Sequence, residues 1–344
     1  MTAPLVSLPT QPEAVPWPTK KWSRAPLDAR LDGAAVDRLF DYAFGQPEAL
    51  GQTNALIVVQ RGAIVAERSV DASMQHMSWS MAKSVLHAGV GILVREGRIT
   101  VERPADVEAW CTAGDPRAAI TLDQLLTMRS GLLFCEDYID EQISDAIEML
   151  FGGGKPDVAG FAAAKPLEHT PGTHFSYSSG TSNIVSQLIG RIIGGGSDGM
   201  LRFLASELFE RIGMSTASPR FDEAGTWIGS SFLDASAEDF ARFGLLYLRD
   251  GVWNGDRLLP AGWVDYARTS ASVAEDGLEY GAHWWIEPGD LGVFRASGYN
   301  GQRIAVVPAL DLVIVRLGVT PIEKAPELQR FSTELIDAFR PARA

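Results

Sequence analysis

Ser78-Trp79-Ser80-Met81-Ala82-Lys83-Ser84 opens onto Val85–Val94, a run in which every residue is apolar or small except His87. A helix predicted from about Met81 to Glu96 is therefore apolar all round, and such a helix belongs inside a domain. Groups at its amino end project from a rigid, buried element. Ser80 and Lys83 stand at i and i+3 and share a face, so the amine can reach the hydroxyl. Serine is a poor nucleophile at neutral pH and needs an adjacent base. Lysine can serve where burial or nearby charge lowers its pKa. The free N–H groups and partial positive charge of the helix start suit a developing oxyanion. Alone, S-x-x-K is a common chance pattern that also describes a helix cap followed by a solvated lysine. The apolar helix behind it gives it weight.

Outward from this helix, Ala55–Val59 and Ala63-Ile64-Val65-Ala66-Glu67 flank Arg61-Gly62 and predict a β-hairpin. Near the other end, Leu291–Ser297, Arg303–Val307 and Asp311–Leu317 predict three more strands, broken by Gly298-Tyr299-Asn300-Gly301 and by Pro308. Strands at both ends suggest one sheet built from both. The middle reads as helical. Thr121-Leu122-Asp123-Gln124 is a capping-box pattern whose helix ends at Ser130-Gly131. Ile184, Val185, Leu188, Ile189, Ile192 and Ile193 recur at helical spacing up to Gly194. Ser236 with Asp239 starts a further helix, closed by Gly251. The expected fold is α/β (α+β), an antiparallel sheet flanked by helices with an inserted, mostly helical domain. Its parts are a proline-rich extended arm over 1–30, an α/β domain from 31–110 and 275–344, and a helical domain over 111–274, with the active site in the cleft between the two domains.

Composition narrows the function. Over 344 residues, 30 basic and 43 acidic side chains give a net charge of −13. That acidity argues against nucleic acid and against an anionic membrane surface as partners. With 46% hydrophobic and 21% charged residues the chain is globular rather than disordered. No run of about 18 apolar residues suggests a transmembrane helix. Met1-Thr2-Ala3-Pro4-Leu5-Val6 lacks the basic and apolar regions of a signal peptide, which predicts a cytoplasmic protein. Cys111 and Cys135 either pair or remain as buried thiols. The five histidines (His76, His87, His169, His174, His283) show no H-E-x-x-H pattern, and neither a metal nor another cofactor is expected.

A second candidate element is Phe175-Ser176-Tyr177-Ser178-Ser179-Gly180. Tyr177 sits in a loop ahead of a helix, where a phenol can face a cleft or simply pack. The same stretch fits a loose S-x-S-x-G elbow with Ser178 as nucleophile, but Pro171-Gly172-Thr173 offers no strand before it and only His283 lies downstream. A non-catalytic binding protein is a third reading, opposed by the presence of serine, lysine and tyrosine together.

Taken in order, Ser78–Ser84, Thr121–Leu132, Pro171–Ser179, Asp239–Gly244 with Gly251–Gly255, and Gly298–Gln302 resemble the serine β-lactamase and penicillin-binding superfamily. The nearest branch is that of the class C-type esterases and 6-aminohexanoate-dimer hydrolases, and the resemblance covers roughly residues 52–330. It implies an acyl-enzyme mechanism with Ser80 as nucleophile and with Lys83 and Tyr177 sharing the acid and base work, in an order left open. It implies an oxyanion hole from the backbone N–H of Ser80 and a second N–H, that of Ala296 or, in a shifted register, Tyr299. Ser179, Tyr299, Asn300 and Trp284 are the expected substrate contacts; Tyr299, Trp284 and Trp285 either shape an apolar pocket or pack in the core. Two departures bear on substrate. Ser179 stands where β-lactamases carry asparagine, and Val293-Phe294-Arg295 replaces the K-T-G triad that engages a penicillin-type carboxylate. Arg295 could substitute unless strand alternation turns it away. A small ester or amide is therefore the expected substrate, with a β-lactam or a D-amino-acid peptide as the alternative at the same site. The acidic stretch Glu136, Asp137, Asp140, Glu141, Asp145 and Glu148 either rims the cleft and favours a cationic substrate end, or is a solvated helix face.

Overall fold

The computed structural model describes residues 4–140 and 142–341. Gln52–Gln60 and Ala63–Ser69 form the expected hairpin. Its two turn residues, Arg61 and Gly62, both have positive φ (52° and 79°), the geometry whose twist matches paired strands. These strands join an eight-stranded antiparallel sheet. Its order is Ala63–Ser69, Gln52–Gln60, Leu312–Val319, Gln302–Val307, Phe294–Gly298, Trp285–Ile286, Glu279–Tyr280, Ser272–Val273. Segments from both ends of the chain thus lie side by side, with Val58 opposite Ile314 and Ile304 opposite Val315. The last three strands have two residues each, too short to show any alternation in the sequence.

The central strands are apolar on both faces because both faces are covered. Along Gln52–Gln60 alternate residues go to opposite sides. Leu56 and Val58 pack with Phe40, Phe331 and Leu335 of helices Gly33–Gly45 and Ala325–Asp337. Ile57 and Val59 face the larger core with Val85, Phe240 and Ile184. Helix Ala237–Leu248 lies directly on this inner face. A Cβ at its Gly244 would stand 2.6 Å from Val313 Cγ1 and 2.8 Å from Ile304 Cγ2, so glycine permits that approach. One continuous core joins the sheet's inner face to the helices of the middle segment, including Leu125, Ile184 and Leu204.

The capping box at Thr121 forms with both its hydrogen bonds, but the helix is only Leu122–Leu126. It stops before Ser130-Gly131 because Met128 turns left-handed, with φ 56°. That turn then holds the Tyr177 loop: Ser176 N–H donates to the Met128 carbonyl at 2.9 Å and Gly172 N–H to that of Arg129 at 2.8 Å. A small sheet of Gln75–Met77, Leu233–Ser236 and Ser218–Pro219 supports the approach to Ser78, whose N–H donates to the Leu233 carbonyl at 2.8 Å. In the arm, Trp22 is buried and its indole donates to the Glu238 carbonyl. Cys111 and Cys135 are both free, the first exposed and the second half-buried, so neither a pair nor buried thiols is found. Among the described residues, no helix is long and apolar enough to cross a membrane.

Candidate active site

Helix Met81–Arg95 is buried from its first residue to Leu93, as its all-round apolar sequence requires. The turn leading into it is strained: Trp79 has φ 46°, a conformation rare for a bulky side chain and one that clusters at functional sites. The buried Ser78 hydroxyl anchors the turn, donating to the Ser231 carbonyl at 3.2 Å and accepting from Leu233 N–H at 3.2 Å. Ser80 occupies the N-cap position, yet its side chain makes no capping bond. Its hydroxyl faces the Lys83 amine at 2.9 Å instead.

Lys83 is 1% exposed. Its Nζ has two further partners, Ser179 Oγ and the Ser230 carbonyl, each at 3.0 Å. Burial brings its pKa down to about 8, partly opposed by the negative charge of Glu136. The same Nζ lies 4.8 Å from the centre of the Tyr177 ring. The phenols of Tyr177 and Tyr138 both interact with the Ser80 hydroxyl. Burial, and then the charge of Glu136, push the Tyr177 phenol up, so it is protonated at neutral pH. Its ring stacks on Trp285 at 5.4 Å and meets Tyr280 edge-on at 5.9 Å. Ser178, the rival nucleophile, caps helix Ser179–Ile193 and accepts from Thr181 N–H at 3.0 Å, so its hydroxyl is spent on the helix end.

Three residues complete this cluster without having been singled out as site residues. Glu136 accepts from Ser179 N–H at 2.7 Å, from Ser179 Oγ at 2.5 Å and from the Tyr138 hydroxyl at 2.5 Å. Its membership of an acidic stretch was the one available signal, and that signal pointed to a rim or a solvated face. Tyr138 carried no signal. His283 clamps the nucleophile helix from behind: Nδ1 lies 2.9 Å from the Lys83 carbonyl and Nε2 lies 3.2 Å from Ser182 Oγ. Burial, then the charge of Lys83, bring its pKa down to about 3, so the ring is neutral. A carbonyl only accepts, so Nδ1 carries the proton and Nε2 accepts from Ser182.

The remaining expected contacts divide. Ser179 is central. Tyr299, 37% exposed, stands at the rim with its ring 5.3 Å from Trp79 and 5.4 Å from Tyr138. Ala296 lies where strand Phe294–Gly298 continues past its pairing with Trp285–Ile286. Two residues on, Gly298 passes so close to the nucleophile turn that a Cβ there would stand 2.2 Å from the Ser78 carbonyl oxygen. Asn300 serves the hairpin instead: its φ is 60°, and its carbonyl accepts from Thr320 N–H at 2.9 Å. Trp284 is fully buried against Phe243, Tyr247 and Phe294, so it is core and does not line a pocket. Its neighbour Trp285 takes the place beside Tyr177. Arg295 is turned away by strand alternation and pairs with Glu287 at 2.6 Å and with Ser297 on the sheet's outer side. The other acidic residues serve their own loop: Asp137 accepts from Ile139 and Asp140 N–H groups, and Asp145 accepts from Cys135 N–H. Glu141 lies outside the described residues.

The chain is 25% identical to a 6-aminohexanoate-dimer hydrolase of Paenarthrobacter ureafaciens, over 88% of this chain and 86% of that protein. A Bacillus anthracis structure provisionally named as a 6-aminohexanoate-dimer hydrolase superposes with a TM-score of 0.77 at 24% identity, covering 96% of this chain and 89% of that one. A family VIII carboxylesterase superposes with a TM-score of 0.65 at 13% identity, covering 90% and 99%. These two likenesses carry the fold. The beta-lactamase family model matches residues 50–318, more than three quarters of the chain, and by that match the protein belongs to the beta-lactamase family, as a serine hydrolase.

Proposed function

We propose that this serine hydrolase cleaves small esters or amides through an acyl-enzyme on Ser80. The observation that carries the reading is the Lys83 amine, buried, poised near neutrality and 2.9 Å from the Ser80 hydroxyl. Lys83 is the first base, because its neutral form is accessible near pH 8 whereas Tyr177 holds its proton. Lys83 takes the Ser80 proton as Oγ bonds to the substrate carbonyl carbon. The N–H of Ser80 and a second N–H, that of Ala296 or Tyr299, receive the oxyanion. On collapse the carbon–oxygen or carbon–nitrogen bond breaks, and the leaving group takes a proton delivered through the Lys83–Tyr177 pair. Water then attacks the acyl-enzyme by the same route, releasing acid and free Ser80.

Substrate choice follows from what lines the cleft. Arg295 faces the other side of the sheet, so the carboxylate anchor of a penicillin-type substrate has no counterpart on that strand. Trp79, Tyr138, Tyr299 and Phe232 form a chain of ring contacts beside Ser80 and suit an apolar acyl or alcohol group. A second reading, hydrolysis of linear aminohexanoate dimer, is favoured by the relative that carries that name. The test is a panel of p-nitrophenyl esters, nitrocefin and linear aminohexanoate dimer. Fast ester cleavage with negligible nitrocefin turnover is expected. Rapid nitrocefin hydrolysis would overturn the substrate argument.

A further inference from the structure

The protons around Lys83 can be placed one by one. The Ser230 carbonyl only accepts, so Lys83 donates to it. Ser179 has a single hydroxyl proton, and the Glu136 carboxylate 2.5 Å away only accepts, so that proton goes to Glu136. Ser179 Oγ is left as an acceptor for Lys83. A neutral amine has two N–H bonds and one lone pair. With both N–H bonds committed, the lone pair points to the third neighbour, Ser80 Oγ. The Ser179 N–H on the other carboxylate oxygen, at 2.7 Å, and the Tyr138 hydroxyl hold Glu136 in this orientation.

We infer that Glu136 is a positioning residue which, by taking the Ser179 hydroxyl proton, aims the Lys83 lone pair at Ser80. The inference rests on the acyl-enzyme reading of Ser80 and deepens it. It also accounts for serine at position 179: a hydroxyl can donate or accept, and the carboxylate removes that ambiguity. In Glu136→Gln the direction reverses. The glutamine oxygen keeps the Ser179 N–H, its NH2 donates to Ser179 Oγ, and the Ser179 proton is freed to compete for the lysine lone pair. The titratable groups around Lys83 are Glu136, the phenols Tyr177 and Tyr138, and the neutral His283, and it is Glu136 that raises the Lys83 pKa through its charge. Its loss therefore also makes Lys83 easier to deprotonate.

The test follows the rate at which an alkyl fluorophosphonate labels Ser80, across pH, in the wild type, Glu136→Gln, Ser179→Ala and the double variant. Expected for Glu136→Gln is a plateau about 10- to 100-fold lower, up to the lower end of general-base effects because the base is misaimed and not removed, together with an acid limb moved to lower pH. A merely structural defect would lower the plateau and leave the limb in place. Ser179→Ala keeps the carboxylate and is expected to lose about tenfold or more; it carries the test if Glu136→Gln does not fold. The double variant is expected to be no slower than the worse single variant, since both act through one hydroxyl. Labelling of Glu136→Gln or Ser179→Ala within twofold of wild type, an unmoved acid limb in Glu136→Gln, or losses that multiply in the double variant would overturn the inference. Failure of the wild type to label at Ser80 would instead count against the nucleophile itself.

Discussion

The Lys83 amine and the Ser80 hydroxyl lie 2.9 Å apart, one helical turn from each other, at the start of a helix whose first thirteen residues are all buried. Burial makes this pair reactive. A lysine with its amine in water would be charged at neutral pH and could not accept a proton.

The pH dependence of acylation follows. The neutral amine is the active form, so kcat/KM rises with pH and levels off once Lys83 is deprotonated. With a pKa of about 8, the rate at pH 6 is expected to be about 100-fold below the plateau. Kinetics with a p-nitrophenyl ester between pH 5.5 and 9.5 measure this limb. A limb near pH 6.5 would point to a histidine, and His283 is already held neutral far below that range.

His283→Ala removes the hydrogen bonds to the Lys83 carbonyl and to Ser182 and leaves a cavity behind the nucleophile helix. A destabilisation of about 2–4 kcal/mol is expected, from lost bonds plus cavity. Chemical denaturation at fixed pH measures it.

Gly298→Ala tests how closely the strand must approach the nucleophile turn. The backbone at Gly298 has φ −123°, which alanine adopts freely, so the obstacle is steric: the Ser78 carbonyl at 2.2 Å from the new Cβ, with the Cβ atoms of Trp79 and Gln302 at 3.1 Å. The strand must shift, carrying Ala296 with it. A loss in kcat/KM of about tenfold or more is expected, with the fold retained by circular dichroism.

Arg295→Ala separates stability from substrate recognition. The change leaves the largely buried Glu287 with the Gln329 amide but without its ion pair, and is expected to cost about 3 kcal/mol in stability. The ratio of kcat/KM for a neutral ester to that for its carboxylate-bearing analogue should not move. A selective loss on the carboxylate-bearing ester would place Arg295 in the cleft after all.

Much of this was legible in the sequence because it depends on local periodicity. The all-apolar helix behind Ser80, the hairpin at Arg61-Gly62 and the terminal strands each announce themselves within about ten residues. Helical spacing put Ser80 and Lys83 on one face, the family resemblance added Tyr177, and the structure brings the three together. Glu136 stayed hidden because an acidic loop residue looks the same whether it faces water or accepts from Ser179 N–H, 43 positions away. Trp284 and Trp285 were hard to tell apart for a different reason. Trp284 lies just before the strand Trp285–Ile286, and a strand of two residues leaves no pattern to say which of the neighbours faces the core.

The most direct measurement is mass spectrometry of the intact protein and its peptides after brief incubation with a p-nitrophenyl ester and acid quench. The account predicts one acyl group, on the peptide containing Ser80, absent in Ser80→Ala and strongly reduced in Lys83→Ala. An acyl group on Ser178 or Ser179, or ester turnover undiminished in Ser80→Ala, would contradict it.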